Sequence, residues 1–419
     1  MRNFKHCAIA TAAALLSIVL LELGMRAAGM KYESSVYEKD AVQYKVFRPN
    51  AEGWSVGEGD NYFRINAFGM RDRNRTRQTP AHTLRLAVVG DSMVAAQQVP
   101  LDRIMTQVLE RRLSQAAARL GKNVEVLNFA VGGATLAQMY LMTKERVWTF
   151  SPKLLVLCVS AMSVRSCSRK LNTLGDTPYF LVKDGRLLPD PRDRPPAGTD
   201  EKSKRAHKLF GDIYNHIRIL QLVRAAQQSD WRAQIFEPFR KHPAAPALEG
   251  SDGDSWSYKP PSDAESAKAW EVAEVLISRM AADAKERGVE FWLVYIDDPI
   301  VEDPRDDVRE KYLQRRGITN MEYTANRFAV LAEDRGFPYI RLGLAMRAYS
   351  QQNGIPLRGF FNTQAYQGHW NEVGNEAAAS ILERAFVQQS KTLRAWMADS
   401  EAGAAAGSGV TPAISEWKH

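Results

Sequence analysis

Residues 84–93 read Leu-Arg-Leu-Ala-Val-Val-Gly-Asp-Ser-Met, an apolar run that stops at a Gly-Asp-Ser sequence. A short run this rich in valine and leucine predicts a buried parallel strand. Gly90 and Asp91 favour a turn at its end, and a helical pattern follows over residues 101–120. Ser92 is therefore expected just past the carboxyl end of a strand, where ligands and reacting groups collect in open α/β sheets.

The same alternation of strand and helix continues along the chain. It predicts a three-layer α/β/α fold around a parallel, doubly wound, flavodoxin-like sheet. Further strands are predicted over residues 124–128, 154–159, 289–296 and 339–342. Helices are predicted over residues 136–150, 207–227, 263–287, 321–335 and 372–388. A segment rich in proline, serine and charged residues, about 165–262, is interpreted as a long insertion.

The N-terminal residues 1–24 have the pattern of a targeting or anchoring segment. Arg2 and Lys5 precede a run that is almost wholly apolar from residue 7 to residue 21. The run fits either a signal peptide or a signal anchor, and we favour an uncleaved anchor because the candidate cleavage site is poorly formed. The basic start then predicts a single-pass protein of the inner (cytoplasmic) membrane, with its main domain in the periplasm or outside the cell.

Three further regions complete the predicted organisation. Residues 25–80 are interpreted as a connecting arm, and the arginines at 71, 73, 75 and 77 as a solvated charge run. The main domain is expected over residues 81–388. The remaining residues, 389–419, are interpreted as a disordered tail because they become rich in glycine, alanine and serine.

Composition limits the classes of partner. The chain has 419 residues and a formal net charge of +8, which allows an anionic partner such as a phospholipid surface or an acidic polysaccharide. No nucleic-acid-binding signature is present, so no nucleic-acid partner is expected. The three cysteines and seven histidines have no metal-ligand spacing, and no G-x-G-x-x-G sequence occurs, so neither a metal nor a cofactor is predicted.

A serine nucleophile requires a base and an oxyanion site, and the sequence offers candidates for both. His369 lies in a loop that follows the last predicted strand and precedes the last predicted helix, on the same sheet edge as Ser92. A second glycine-rich turn, with Gly132 and Gly133, follows the second predicted strand. The backbone N–H groups of such turns can hold a developing oxyanion.

Taken together, Gly-Asp-Ser after the first strand, Gly-Gly after the second and Gly-His-Trp-Asn before the last helix resemble the serine-hydrolase family known as SGNH or GDSL. The resemblance covers residues 84–388. The sequence Asn-Ala-Phe-Gly-Met-Arg-Asp at residues 66–72 and the apolar N-terminus also resemble the exported bacterial branch of the family. It implies that Ser92 is the nucleophile, with its own N–H in the oxyanion hole. It also implies that Gly133 or Gly132 supplies a second N–H and that His369 is the base.

Two blocks depart from the family pattern. No Asn follows the third strand, where the family has an oxyanion-hole amide, and Ser163 or Ser160 is the nearest hydroxyl that could donate instead. The Asp that the family places shortly before its histidine is also missing. Gln367 stands near that position and is a possible third catalytic member. A carboxylate from elsewhere, for instance Asp297 or Asp298, is the alternative.

The resemblance implies a serine esterase or O-acyltransferase that acts on acylated envelope or extracellular polysaccharide, or on another small ester, through an acyl-Ser92 intermediate. The main alternative is a catalytically impaired protein of the same fold that serves as a binding or scaffold protein of the cell envelope. A glycosidase with two acidic residues is a third possibility, but no pair of acidic residues is singled out by its spacing.

Overall fold

The apolar run that precedes Ser92 forms an interior strand of a five-stranded parallel sheet. In this computed structural model, which describes residues 2–228 and 257–408, the strand spans Thr83–Val89, and every side chain after Thr83 is buried. The described strands, in chain order, are β1 (Tyr37–Asp40), β2 (Tyr44–Phe47), β3 (Glu52–Ser55), β4 (Asn61–Arg64), β5 (Thr83–Val89), β6 (Asn123–Asn128), β7 (Leu154–Val159), β8 (Phe180–Lys183), β9 (Arg186–Pro189), β10 (Glu290–Tyr295) and β11 (Tyr339–Arg341).

The main sheet has the strand order β11-β10-β7-β5-β6, and all its pairings are parallel. When its strands are counted along the chain, this is the order 2-1-3-4-5 of flavodoxin-like folds. The order reverses between β5 and β7, so a crevice opens at the carboxyl end of β5, where Ser92 follows. The predicted fold class is confirmed, and the five predicted strands agree with the observed ones to within one residue at each end.

Helices cover both faces of the sheet. One layer contains α3, α12 and α13, and the other contains α4, α8 and α11. The described helices are α1 (Arg2–Ala27), α2 (Ser92–Ala95), α3 (Met105–Ala118), α4 (Leu136–Glu145), α5 (Ala161–Arg165), α6 (Glu201–His216), α7 (Arg218–Gln228), α8 (Ala264–Glu286), α9 (Pro299–Glu302), α10 (Asp306–Arg316), α11 (Tyr323–Arg335), α12 (Gly343–Asn353), α13 (Glu372–Gln389) and α14 (Lys391–Ser408), with 3-10 turns at Leu101–Arg103 and Val147–Phe150.

Two of the predicted helices are divided by a single extended residue. The helix predicted over 101–120 is interrupted at Ile104, which has φ −70° and ψ 150° and is fully buried against Val99. The helix predicted over 207–227 is divided at Ile217, which has φ −113° and ψ 109°. At Ile104, tertiary packing therefore overrides the local helical pattern.

The interpretation of residues 25–80 as a solvated connecting arm is wrong. This segment, called the N-terminal arm below, folds into two antiparallel hairpins, β1–β2 and β3–β4. Phe47 and Phe63 belong to the same hydrophobic core as the main sheet. Arg71 and Arg75 are buried, so the arginine run is not a solvated face. The arginine side chains alternate between buried and exposed positions along the run. The number of charges alone does not reveal this pattern.

Arg75 forms a buried charge cluster that covers the edge strand β6. Its guanidinium lies 2.9 Å from Asp72 Oδ1 and 2.6 Å from Glu110 Oε2. The same two carboxylates accept the N–H groups of Asn128 and Val126. The cluster therefore occupies backbone donors of a strand at the edge of the sheet, and it joins the arm to the main domain.

The two segments outside the regular α/β pattern both contain regular secondary structure. The predicted disordered tail begins with α14, in which Leu393 is buried and the Trp396 ring lies 4.8 Å from the Lys122 ammonium; that part of the prediction is wrong. Residues 409–419 lie outside the described residues. The insertion contains the β8–β9 hairpin and the helices α6 and α7, and its residues 229–256 also lie outside the described ones.

The N-terminal helix α1 is apolar around its whole circumference. Its residues 4–27 are long and apolar enough to cross a membrane, and none of the most apolar window is buried in the protein. A signal sequence has the same length and composition. Helix α1 is therefore compatible with a single-pass anchor or with a signal sequence.

We expect Arg75→Ala to lower the free energy of unfolding by about 3–5 kcal/mol, because it leaves the buried Asp72 carboxylate without its paired guanidinium and removes one of the two that contact Glu110. Urea denaturation of the detergent-solubilised chain, followed by tryptophan fluorescence, measures the change. Arg103→Ala is the matched control. Its side chain is 57% exposed with ion pairs of 3.7 and 4.0 Å, so its loss should cost about 1 kcal/mol or less. Equal effects of the two substitutions would contradict the structural role of Arg75.

Candidate active site

Ser92 is the first residue of the short helix α2, directly after the turn that ends β5. The Asp91 carboxylate caps this helix by accepting the N–H of Met93 at 3.0 Å. Gly90 allows close packing here, because a Cβ at this position would lie 2.7 Å from the Val94 side chain. Burial raises the pKa of Asp91 above its usual value. The turn presents the Ser92 hydroxyl at the carboxyl edge of the sheet.

His369 reaches Ser92 from the loop between α12 and α13. Its Nε2 lies 2.8 Å from Ser92 Oγ, a normal hydrogen-bond distance, although the two residues are 277 positions apart in the chain. The turn at the start of α13 is held by Asn371, whose side chain accepts the N–H of Gly374. The structure thus brings together the two side chains that the sequence singled out.

The third group of the constellation is Glu58, which the sequence did not single out. Glu58 Oε2 lies 2.9 Å from His369 Nδ1 and also accepts the backbone N–H of His369 at 2.8 Å. Glu58 lies in the loop of the β3–β4 hairpin, so it comes from the N-terminal arm. Gly368 permits this approach: it has φ +70°, and a Cβ there would lie 2.6 Å from Glu58 Oε1.

The charge of Glu58 is stabilised by its surroundings. Partial burial raises its pKa, but the hydrogen bonds from the ring and backbone of His369, with the positive charges of His369 and Arg358, outweigh burial. The net effect lowers the pKa of Glu58 below its usual value. The carboxylate is therefore ionised at neutral pH and faces the ring nitrogen opposite Ser92.

Asn362 fastens the loop that carries Glu58. Its Oδ1 accepts the N–H of Gly59 at 2.7 Å, and its Nδ2 donates to the carbonyls of Val56 and Gly59 at 3.0 and 3.1 Å. The side chain of a single residue thus bonds to the backbone on both sides of Glu58. Asn362 belongs to the same long loop as His369. Its hydrogen bonds therefore fix the position of the Glu58 loop relative to the histidine loop.

A buried ion pair holds the histidine loop from the other side. Arg358 makes two hydrogen bonds to Glu302, of 2.7 and 2.9 Å, and both side chains are buried. Arg358 Nη1 also donates to the carbonyl of Gly368 at 2.7 Å, and Trp370 Nε1 donates to Glu302 at 2.9 Å. The residues immediately before and after His369 are therefore both tied to this pair.

Gly132 and Gly133 lie in the turn after β6, next to the start of the Ser92 turn. The N–H of Val131 donates to the carbonyl of Gly90 at 3.2 Å, which ties the two turns together. Gly133 has φ +68°, a conformation that favours glycine. In the described part of the chain, the backbone N–H groups of Ser92, Gly132 and Gly133 make no hydrogen bond.

The N-terminal arm also forms a wall beside this turn. Tyr37 donates a 2.6 Å hydrogen bond to Gln97 Oε1, and a Cβ at Gly132 would lie 2.3 Å from the Tyr37 hydroxyl oxygen. The Lys45 ammonium stands 3.1 Å from the position that a Cβ of Gly133 would take. Burial lowers the pKa of Lys45. The arm thus contributes a tyrosine, a lysine and the acid Glu58 to one side of the site.

The structure places Ser163 in a local role. Its Oγ accepts the N–H of Ser160 at 3.0 Å at the start of α5, and the side chain is buried. The hydroxyl therefore caps a helix that follows β7, at the position where the family resemblance led us to expect an amide donor.

The residues considered for the acidic position have other surroundings. Glu58, and not Gln367, accepts the hydrogen bond from His369 Nδ1. Asp297 is paired with Arg341 at 2.9 Å and accepts the N–H of Gly343 at 3.0 Å. Asp298 accepts the hydroxyl of Tyr258. None of the three therefore occupies the place beside the histidine ring.

The local sequence around Glu58 contains a turn signal, although Glu58 was not among the residues predicted for the site. The sequence Gly57-Glu58-Gly59-Asp60 lies between residues 52–55 and residues 61–64. Glycines around a polar residue between two short segments favour a hairpin loop. That reading could have predicted the β3–β4 hairpin. It contains no information about which side chain the loop would meet, 311 positions further along the chain.

Comparison with known proteins gives similarity only among solved structures; no family model and no curated protein matches the chain. One similar structure is a lipolytic protein of the G-D-S-L family from Desulfitobacterium hafniense, with 11% identity and a TM-score of 0.34. The match covers 72% of this chain and 98% of that one. A lipase/acylhydrolase from Enterococcus faecalis has 12% identity and a TM-score of 0.34, with 72% and 95% covered.

A third similar structure is a catalytic mutant of Axe2, an acetylxylan esterase from Geobacillus stearothermophilus. It has 11% identity and a TM-score of 0.35, and the match covers 73% of this chain and 93% of that one. Proteins of one fold carry out different reactions, so the chemistry of this chain depends on the residues of its own site.

Proposed function

We propose that the protein is a serine esterase of the SGNH type, with Ser92 as nucleophile, His369 as base and Glu58 as the acid that orients the base. The observation that carries this proposal is the unbroken series of hydrogen-bond distances from Ser92 Oγ to His369 Nε2 and from His369 Nδ1 to Glu58. Nucleophile, base and orienting carboxylate in such contact have the geometry of a serine-hydrolase triad.

In the proposed reaction, Ser92 Oγ attacks the acyl carbon of an ester while His369 Nε2 takes its proton. The tetrahedral oxyanion is stabilised by the N–H groups of Ser92 and Gly133, with that of Gly132 as a further donor. The imidazolium is stabilised by the ionised Glu58. His369 then returns the proton to the departing alcohol, and the acyl group remains on Ser92.

The acyl-Ser92 intermediate is resolved by a second acceptor. His369 removes a proton from that acceptor, which attacks the acyl carbon. The bond between the acyl carbon and Ser92 Oγ then breaks, and His369 gives the proton to Ser92 Oγ. Water as acceptor gives hydrolysis, whereas a sugar hydroxyl gives acyl transfer. Both outcomes use the same residues, so the proposal includes an O-acyltransferase that passes through the same intermediate.

The proposed substrates are acyl or acetyl esters of envelope or extracellular polysaccharide. Two features support this choice. Helix α1 fits an anchor in the inner membrane with the main domain exported, which would place the site near such polymers. The net charge of +8 suits acidic polymers.

The first test uses the full-length chain in detergent, a small acetyl ester and a fluorophosphonate probe. We expect Ser92→Ala and His369→Ala each to lower kcat by about a million-fold, since each removes a member of a unit that acts together. Ser92→Ala should also abolish labelling by the probe. A wild-type chain that neither hydrolyses the ester nor reacts with the probe would favour the alternative, a non-catalytic binding or scaffold protein of the envelope.

A second test concerns the identity of the acid. We expect Glu58→Gln to lower kcat by about ten-thousand-fold, because an amide neither stabilises the imidazolium nor fixes its tautomer. Gln367→Ala is the control and should leave kcat within about twofold of wild type, since Gln367 does not bond to the ring. The same assay measures both variants, and a loss confined to Gln367→Ala would refute the role of Glu58.

A third test concerns the placement of Glu58. Asn362→Ala removes three hydrogen bonds to the loop around Glu58, and we expect kcat to fall by about a hundredfold while KM stays nearly constant. The matched control is Asn353→Ala at the exposed end of α12, where the side chain bonds only to its own helix. If the two alanine variants have the same kcat, the hydrogen bonds of Asn362 do not position Glu58.

A further inference from the structure

Helices α6 and α7 carry a row of large apolar side chains that face solvent. Phe210 is 69% exposed, and the others are exposed by more than a third. Residues three or four positions apart lie on one side of a helix. Leu209, Phe210 and Ile213 therefore share a side of α6, and Leu220 and Val223 share a side of α7. This row, the apolar stripe, consists of Leu209, Phe210, Ile213, Ile217, Leu220 and Val223.

The apolar stripe is attached to the helix that fits a membrane anchor. At the start of α7, the Glu22 carboxylate of α1 accepts the N–H groups of Arg218 and Ile219 at 3.1 and 3.0 Å. Arg26 donates to the carbonyl of His216 at the end of α6. The last turns of α1 are therefore bonded to the junction of the two amphipathic helices.

This attachment fixes the height of the stripe relative to a bilayer. A helix of about 20 residues crosses the hydrocarbon core, so a span that begins near Phe4 leaves the core near the charged residues Glu22 and Arg26. Charged side chains mark the interface because they are costly deeper in the membrane. The junction of α6 and α7 then lies at the same interface.

The charges on the same helices suit a bilayer surface. Within residues 201–228 there are six lysines and arginines, and the acidic residues are Glu201 and Asp212. Asp212 is paired with Arg48 of the main domain. Four of the basic side chains are exposed: Lys202, Arg205, Lys208 and Arg224. A basic amphipathic helix with an exposed apolar face lies in the interface of membranes that contain anionic lipids.

We propose that α6 and α7 lie on the membrane that α1 crosses, with the apolar stripe inserted at the headgroup boundary and the basic residues on anionic lipids. The protein would then have a second membrane contact besides its anchor. The proposal does not depend on the catalytic function.

The second contact would also orient the candidate active site. Asn215 of α6 donates to the carbonyls of Ser35 and Glu52 at 3.0 Å, and Glu52 begins the hairpin whose loop carries Glu58. Two attachments restrict rotation of the main domain about α1, which a single helix does not. The Ser92 site would therefore stay at a set height and direction relative to the bilayer.

Nitroxide accessibility tests this proposal on the full-length chain in nanodiscs of phosphatidylethanolamine and phosphatidylglycerol. Spin labels are attached to Phe210→Cys and, separately, to Leu220→Cys in a Cys7→Ser background; Cys158 and Cys167 are buried. The matched control is Val330→Cys, another apolar position, 56% exposed on α11. The readout compares collisions with oxygen, which concentrates in lipid, and with a water-soluble nickel complex.

We expect labels at 210 and 220 to favour oxygen over the nickel complex several-fold, and the label at 330 to show the reverse. Labels at 210 and 220 that collide with the nickel complex as freely as the label at 330 would overturn the proposal. Labels shielded from both reagents would overturn it as well, since a protein segment or a second copy of the chain would then cover the stripe.

Discussion

The hydrogen bonds between Glu58 and His369 join the loop of the β3–β4 hairpin to the loop between α12 and α13, across 311 positions of sequence. One carboxylate oxygen accepts both the ring and the backbone N–H of His369, so the acid holds the ring and the peptide together. The contact requires the β3–β4 hairpin to be in place. It also requires a glycine at 368, because any side chain there would collide with the carboxylate.

The N-terminal arm is held against the main domain by polar contacts that are mostly buried. Asn61, at the end of the Glu58 loop, donates to the carbonyls of Gln97 and Val99 in the segment after Ser92, and Arg71 donates to the carbonyl of Val99. These bonds tie the hairpin to the same chain segment that carries the serine. Removing the arm would therefore leave buried backbone and charged groups unpaired, which is costly.

The candidate site combines one residue that follows a strand of the sheet with two residues that lie in loops. Ser92 follows an interior strand, and its position depends on the sheet and on the turn that Asp91 caps. His369 and Glu58 both lie in loops, and loops require added restraints to hold a catalytic geometry. The ion pair of Arg358 with Glu302 and the hydrogen bonds of Asn362 provide those restraints from opposite sides. This arrangement explains why so many buried polar side chains surround the two loops.

The sequence by itself determined the sheet, the place of Ser92 at its carboxyl edge, the choice of His369 among seven histidines, and the apolar N-terminal helix. These features depend on local hydrophobic patterns and on turn residues, which are legible along the chain. Only the tertiary structure decided that Glu58 faces His369 and that Arg75 is buried, because both depend on how the hairpins of the arm pack. Side chains far apart in sequence meet through packing in space, and no periodicity or spacing along the chain encodes that distance.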